Sequence, residues 1–211
     1  MLKLEFDIDL AVMWTTVLIA LAAVLLLFWD VHYFLRTAFV LIWGRFFEDK
    51  ISPEDTTTIY GWCTTNDLDI MFKHMNNARY IRELDFGRFH FYDKTGIYSL
   101  ITTANGNILQ SACSIKYRRT IPLFMTFKIS TKLVYWDEKA LYLEQQFISL
   151  RDGFIHAVAF SKQGTVGVNV AEILGKALDK DASYRPTPPP ELEHFIACLD
   201  ASSLRLRKKD D

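Results

Sequence analysis

The chain reads as an α+β protein, an antiparallel sheet wrapped around one long helix and preceded by an apolar helix of membrane-spanning length. Three observations predict this. Leu10 to Trp29 is an uncharged run of twenty residues. Thr126 to Trp136 alternates in strand fashion, with Phe127, Ile129, Leu133 and Tyr135 on one face and Lys128, Ser130 and Lys132 on the other. From Asn76 the apolar residues Ala78, Ile81, Leu84 and Phe89 recur at helical spacing until Gly96.

In chain order, residues 1–9 form a short leader. Residues 10–29 as a helix would span about 30 Å, the thickness of a hydrocarbon core. The run holds eleven Leu, Ile, Val or Phe residues, which favours insertion by about 5 kcal/mol. A cleaved signal peptide followed by secretion is the competing reading. It prefers a basic n-region and a shorter apolar stretch, whereas here Lys3 faces Glu5, Asp7 and Asp9. Flanking charge sets the orientation. Arg36, Arg45 and Lys50 lie downstream and only Lys3 upstream, which places the following domain in the cytosol. The terminal Lys208-Lys209-Asp210-Asp211 resembles a di-lysine retrieval signal of endoplasmic reticulum membrane proteins. Residues 30–54 form a juxtamembrane segment, in which Phe34, Leu35, Ala38, Phe39, Ile42, Trp43 and Phe46 share one helical face. That face suits either an interfacial helix or packing on the domain.

Residues 55–170 carry the main domain. Thr56 to Thr64 is a β-branched first strand, the helix follows from Asn76 to about Asp93, and Asn105-Gly106 marks a turn. Strands are expected at Ile108–Arg119, Thr126–Trp136, Leu141–Leu150 and Phe154–Phe160, with Arg151-Asp152-Gly153 turning between the last two. Residues 171–211 supply a short helix at Ala171–Leu178, a stiff linker at Pro186–Pro190 and a last short helix near Leu192–Leu199.

The net charge of −1 gives no field that favours nucleic acid. Cys63, Cys113 and Cys198 are an odd, scattered set that reads as buried thiols in a reducing compartment, and no Asn-x-Ser/Thr sequon occurs. No residues have the spacing of a metal site, a phosphate loop or a Ser-His-Asp elbow, so neither metal nor cofactor is expected.

Chemistry concentrates in Asp67-Leu68-Asp69-Ile70-Met71-Phe72-Lys73-His74-Met75-Asn76-Asn77-Ala78-Arg79-Tyr80, between the first strand and the helix. Asp67 and Asp69 suit Asx turns as well as catalysis, Asn76 suits a helix cap, and His74 suits a structural histidine. Glu83 could serve as a carboxylate, or as a surface ion pair with Arg79 at i,i+4. Arg118 and Arg119 could meet a phosphate or end a solvated strand, and Cys113 reads as a core thiol.

The Asp-x-Asp, the His followed by an apolar residue and Asn-Asn, and the entering Tyr resemble the four-hydroxybenzoyl-CoA and plant acyl-carrier-protein thioesterases of hot-dog fold. Asn-Asn-Ala-Arg-Tyr-Ile-Arg-Glu and Phe147-Ile148-Ser149-Leu150-Arg151-Asp152-Gly153-Phe154 resemble, within that fold, the thioesterase superfamily member six group. The resemblance implies a hot-dog domain, usually a homodimer with sites at the subunit interface, that hydrolyses acyl-CoA or another acyl thioester without a metal. It implies Asp69 as the carboxylate, His74 as its assistant, and amides at Asn76 and Asn77 polarising the carbonyl. Tyr80, Arg118 and Arg119 would contact substrate. The plant pattern Asp-x-Asn-x-His is one residue longer here, with Met71 and Phe72 where the Asn would stand. Two functions are therefore expected, a membrane-anchored fatty acyl thioesterase or a non-catalytic acyl-binding scaffold in membrane lipid homeostasis.

Overall fold

The computed structural model describes residues 2–207, with side chains described from residue 12 onward apart from Leu27. The di-lysine tail and the leader's first residue lie outside the described residues. The chain divides into two compact units, one ending at Val40 and one beginning at Leu41.

The first unit holds helix α1 (Leu2–Phe28) and the start of α2 (Val31–Phe47). Every described side chain from residue 12 to 26 is exposed. Among the described residues no single helix is long and apolar enough to cross a membrane. Val12–Leu26 and Val31–Phe47 reach that length and composition only together, bent by 77° at the break between them. The break falls at Trp29 and Asp30, at the end of the expected 10–29 span.

The second unit is the sheet-and-helix domain. Five antiparallel strands run in the order β1-β3-β4-β5-β2: β1 (Thr56–Trp62), β2 (Asn107–Tyr117), β3 (Thr126–Trp136), β4 (Ala140–Ser149) and β5 (Ile155–Val166). Helix α3 (Asn77–Thr95) lies on one face. Its ends follow from local chemistry. The Asn76 side chain accepts the Ala78 N–H, and Gly96, at φ 70°, takes the left-handed conformation that ends the helix without a Cβ clash. The strand alternation puts Phe127, Ile129 and Leu133 inward and fully buried. Gly87 brings helix and sheet into direct contact. A Cβ there would stand 2.9 Å from Thr131 Oγ1 and 3.0 Å from Gln145 Nε2.

Several elements depart from expectation. Ile97–Thr103 forms a helix, α4, that drives Ile97 and Ile101 into the core beside Phe91 and Trp136. β5 continues six residues past Phe160, because pairing on both sides, with β4 and β2, satisfies its polar stretch. α5 (Val170–Leu178) closes the same core. The last helix, α6, spans Pro190–Arg207, and its Leu192, Phe195 and Ile196 cover the outer sheet face at Val134, Ala140 and Tyr142. Glu83 is buried at 3% exposure, which corrects its placement on a surface ion pair.

The end of α2 belongs to this domain. Gly44 stands so close to α3 that a Cβ would lie 3.0 Å from His90 Cδ2. Lys94 donates to the carbonyls of Gly44 and Glu48, capping α2, while His90 Nε2 lies 2.8 Å from Glu48 Oε2 and the Ile51 amide donates to Lys94 O. Farther along α2, Ile42, Trp43 and Phe46 are exposed, as are Phe34, Leu35 and Phe39 in the first unit.

Candidate active site

The segment between β1 and α3 folds into two linked turns. A single 3-10 turn at Thr65–Asp67 is closed by a capping box, with the Thr64 amide and hydroxyl donating to Asp67 Oδ2 at 2.8 and 2.7 Å. Asp67 is 6% exposed, so this carboxylate builds the turn. A short hairpin follows, in which Leu68 bridges Met75. The Asp69 amide donates to His74 O, the Phe72 amide donates to Asp69 O, and Phe72 takes φ 53°.

Asp69 uses its two oxygens differently. Oδ1 accepts the amides of Lys73 and His74 at 2.9 and 3.3 Å, an Asx-type closure of the hairpin. Oδ2 faces the His74 ring, 3.9 Å from Nε2. The Lys73 amide first, and then the His74 amide and ring, outweigh desolvation and hold this carboxyl below the usual carboxylate range. His74 Nδ1 stands 3.1 Å from Met75 O. A carbonyl there requires the proton on Nδ1, so a neutral ring presents the Nε2 lone pair toward Asp69 Oδ2. Two acceptors separated by 3.9 Å are placed to receive the two hydrogens of one water molecule.

Helix α3 begins three residues beyond His74, with Asn76 as its N-cap. Ala78 N–H is taken by Asn76 Oδ1 and Arg79 N–H by Asn76 O. Among the described residues the Asn77 N–H has no acceptor, and it carries the positive end of the helix dipole. The backbone thus brings Asp69, His74, Asn76 and Asn77 together. Tyr80 sits elsewhere, 2% exposed, with its hydroxyl accepting the Ile121 amide and its ring against Tyr117 and Phe147. Burial pushes it up to about 12. It anchors the 118–125 loop to the helix.

That loop joins the hairpin to a cleft of about 570 Å³. Pro122 bridges His74, and the Met75 amide donates to Ile121 O. The cleft opens beyond the loop and is lined by Arg119, Thr120, Phe124, Ser149, Arg151 and His156, among others. Asp69, His74 and Asn77 are not in its lining. Arg119 lies 3.7 Å over the Phe154 ring and 3.7 Å from Asp152. Arg118 lies 4.8 Å over the same ring and donates to Ile155 O. Both residues are exposed, and of the two only Arg119 lines the cleft. His156 is 4% exposed, and its Nδ1 faces the carbonyls of Arg119 and Thr120, which orients the ring. Neither His156 nor Arg151 is singled out as a site residue by the sequence; Arg151 lies within the Phe147–Phe154 motif and His156 two residues beyond it, where only the β-pairing reveals its place. Cys63, Cys113 and Cys198 are free thiols, but only Cys63 is buried; Cys113 is half-buried and Cys198, on α6, is exposed, which corrects the expectation of three buried thiols. Burial, reinforced by the Asp67 and Glu83 carboxylates, pushes Cys63 up to about 11.

Comparison with known proteins gives the same picture of the domain. The thioesterase-like superfamily model matches residues 63–195. Protein THEM6 of Drosophila melanogaster is 52% identical over 195 residues, covering 92% of this chain and 98% of that protein. Protein THEM6 of Xenopus laevis is 36% identical over 181 residues, covering 84% and 85%. Among solved structures, the probable thioesterase YbaW from Escherichia coli superposes with a TM-score of 0.52 at 22% identity, covering 59% of this chain and 96% of that one. The hypothetical protein TT1821 from Thermus thermophilus does so with a TM-score of 0.51 at 15% identity, with the same coverage. At those identities the superpositions speak for the fold alone, a hot-dog sheet around its helix. The chain belongs to the THEM6 family of the thioesterase-like superfamily.

Proposed function

We propose that the chain is a membrane-held hydrolase of fatty acyl thioesters, with acyl-CoA the simplest substrate class. The observation that carries this reading is the pairing of Asp69 Oδ2 with His74 Nε2, 3.9 Å apart, in the hairpin that leads directly into the N-terminus of α3, where Asn76 caps the helix. A water donating to both side chains is activated when His74 Nε2 takes its proton and its oxygen attacks the thioester carbonyl carbon. The carbonyl oxygen gathers charge, which the Asn77 N–H and the helix dipole stabilise. The C–S bond then breaks, the thiol leaves with the proton returned by His74, and the carboxylic acid remains. Arg118 and Arg119, both exposed, would meet the phosphates of the thiol carrier.

The apolar helices α1 and α2, with their exposed aliphatic and aromatic side chains, support membrane attachment. Flanking charge and the terminal lysines support the endoplasmic reticulum membrane with the domain on the cytosolic side. Intact-mass analysis that retains residues 1–29 would exclude secretion after cleavage. The open edge of β2 leaves a row of backbone groups for pairing with a second copy, which supports a homodimer.

One observation favours a second reading, a non-catalytic acyl-binding protein. Asp69 Oδ1 is already engaged in closing its own hairpin, as a purely structural Asp would be. Hydrolysis of acyl-CoA from short to long chains by the full-length protein, with Asp69→Asn and His74→Ala beside it, separates the two. A hydrolase loses about 100-fold or more in kcat/KM in each variant. No turnover above the variants on any chain length leaves the binding protein.

A further inference from the structure

The hairpin that carries Asp69 and His74 ends in an apolar tip which the chemistry above does not use. Ile70, Met71 and Phe72 are consecutive and exposed to 89%, 63% and 76%. On the adjoining loop Phe124 is 70% exposed. Phe72 and Phe124 both sit at positive φ, 53° and 61°, where a bulky side chain is strained. The surrounding hydrogen bonds hold that strain. Phe72 is fixed through its amide to Asp69 O, Phe124 through its amide to Cys63 O, and the two loops are joined at His74 and Pro122. Two aromatic residues kept strained and in water mark a functional surface, since neither position gains from burial within the domain.

Charge identifies the occupant. Four exposed cations accompany these two loops: Lys73 follows the tip directly, Arg119 and Arg151 line the cleft that Phe124 also lines, and Arg118 lies beside Arg119 over the Phe154 ring, against two carboxylates, Asp69 and Asp152. The first of these accepts two backbone amides and the second pairs with Arg119. A convex apolar tip with a basic rim matches an anionic lipid surface, in which the side chains enter the acyl boundary and the cations meet headgroup phosphates. We propose that this tip docks on an anionic membrane surface, so that the thioester site opens at the lipid boundary where long-chain acyl thioesters dissolve. The proposal rests on the membrane-held reading above and adds a second, domain-borne contact to it.

The test uses the full-length chain in bilayer nanodiscs of phosphatidylcholine and phosphatidylserine. Phe72→Cys, with Cys113→Ser and Cys198→Ser, carries an NBD label. Lys139→Cys in the same background is the control, in the β3–β4 hairpin at the far end of the strands from the tip. Retention of the chain in the disc reads the attachment. Brominated phosphatidylcholine, which quenches only on lipid contact, reads the tip. The label at residue 72 should lose about half its emission while the label at 139 is unchanged, and Lys73→Glu with Arg151→Glu should reverse most of that loss. Equal, unquenched emission at both sites overturns the docking surface while leaving attachment intact. A blue-shifted label at 72 that bromine does not quench also overturns it, because a protein surface such as a second copy then covers the tip. A chain that stays out of the disc overturns both.

Discussion

Replacing Gly87 with Ala sets two effects against each other. In an isolated helix the change stabilises by about 1 kcal/mol, because Ala loses less backbone freedom. In this fold the added Cβ would stand 2.9 Å from Thr131 Oγ1, 3.0 Å from Gln145 Nε2 and 3.2 Å from Ile129 Cγ2. Thr131 and Gln145 are both fully buried, so relief requires the helix to move off the sheet or the amide to turn away. Overpacking of this kind costs about 1–3 kcal/mol. Gln145 Nε2 donates to Leu84 O at 2.9 Å and to Thr131 Oγ1 at 3.1 Å. Displacing it leaves a buried donor unsatisfied, for about 1–3 kcal/mol more. Taking the middle of each range and subtracting the helix gain leaves a net loss of about 3 kcal/mol. For a domain of this size that lowers Tm by roughly 6–12 °C. Thermal unfolding of the full-length protein, followed by near-ultraviolet circular dichroism, measures it. A Tm equal to or above wild type would refute the claim that helix and sheet touch at Gly87.

Lys94→Met keeps the buried stem but removes the ammonium that caps α2, with an expected loss of about 1.5–3 kcal/mol. Hydrogen exchange of amides 45–51 should speed by about tenfold or more, and unchanged protection would contradict the capping role. Burial lowers the pKa of His90 despite the opposing Glu48, and its Nδ1 is buried without a hydrogen-bond partner among the described residues, so the neutral ring is preferred. The unfolded chain then binds this proton more readily. Stability should therefore fall as pH drops through about 6.5 and level off below the folded pKa. His90→Gln should flatten that slope in denaturant titrations, and an unaltered slope would assign it elsewhere. A thiol reagent should modify the exposed Cys198 rapidly and the buried Cys63 only on unfolding, with simultaneous modification the contrary result.

Much of the domain was legible because its pattern is local. β3 alternates Phe127, Ile129 and Leu133 against Lys128, Ser130 and Lys132, and Asn76 and Gly96 bracket α3 with an N-cap and a left-handed C-cap. α4 was hidden because Ile97–Thr103 is rich in Ile, Tyr and Thr, weak helix formers. It is helical because Ile97 and Ile101, four apart, both fill the core. The end of β5 reads as polar, and only a central place in the sheet buries Ser161 and Gln163 at 1% exposure. Glu83 was misplaced for the same reason, since charge alone points outward. The grouping of Asp69, His74 and Asn77 lies within nine residues and follows from the hairpin. The cleft draws on residues 119–126 and 149–156, which only β-pairing brings together. The strain at Phe72 and Phe124 has no sequence signature, because φ is set by the tertiary hydrogen bonds around each residue.

Whether Asp69 performs chemistry or only closes its hairpin separates a hydrolase from a binding protein most directly. Asp69→Asn preserves the acceptor for the Lys73 and His74 amides while removing the carboxylate charge. Single-turnover hydrolysis of a bound long-chain acyl-CoA should be measured for wild type and this variant, with binding affinity determined in the same samples. Catalysis by Asp69 predicts comparable affinity, turnover by wild type, and loss of about 100-fold or more in the variant. Equal affinity with no hydrolysis by either protein would contradict it and leave an acyl-binding protein on a thioesterase fold.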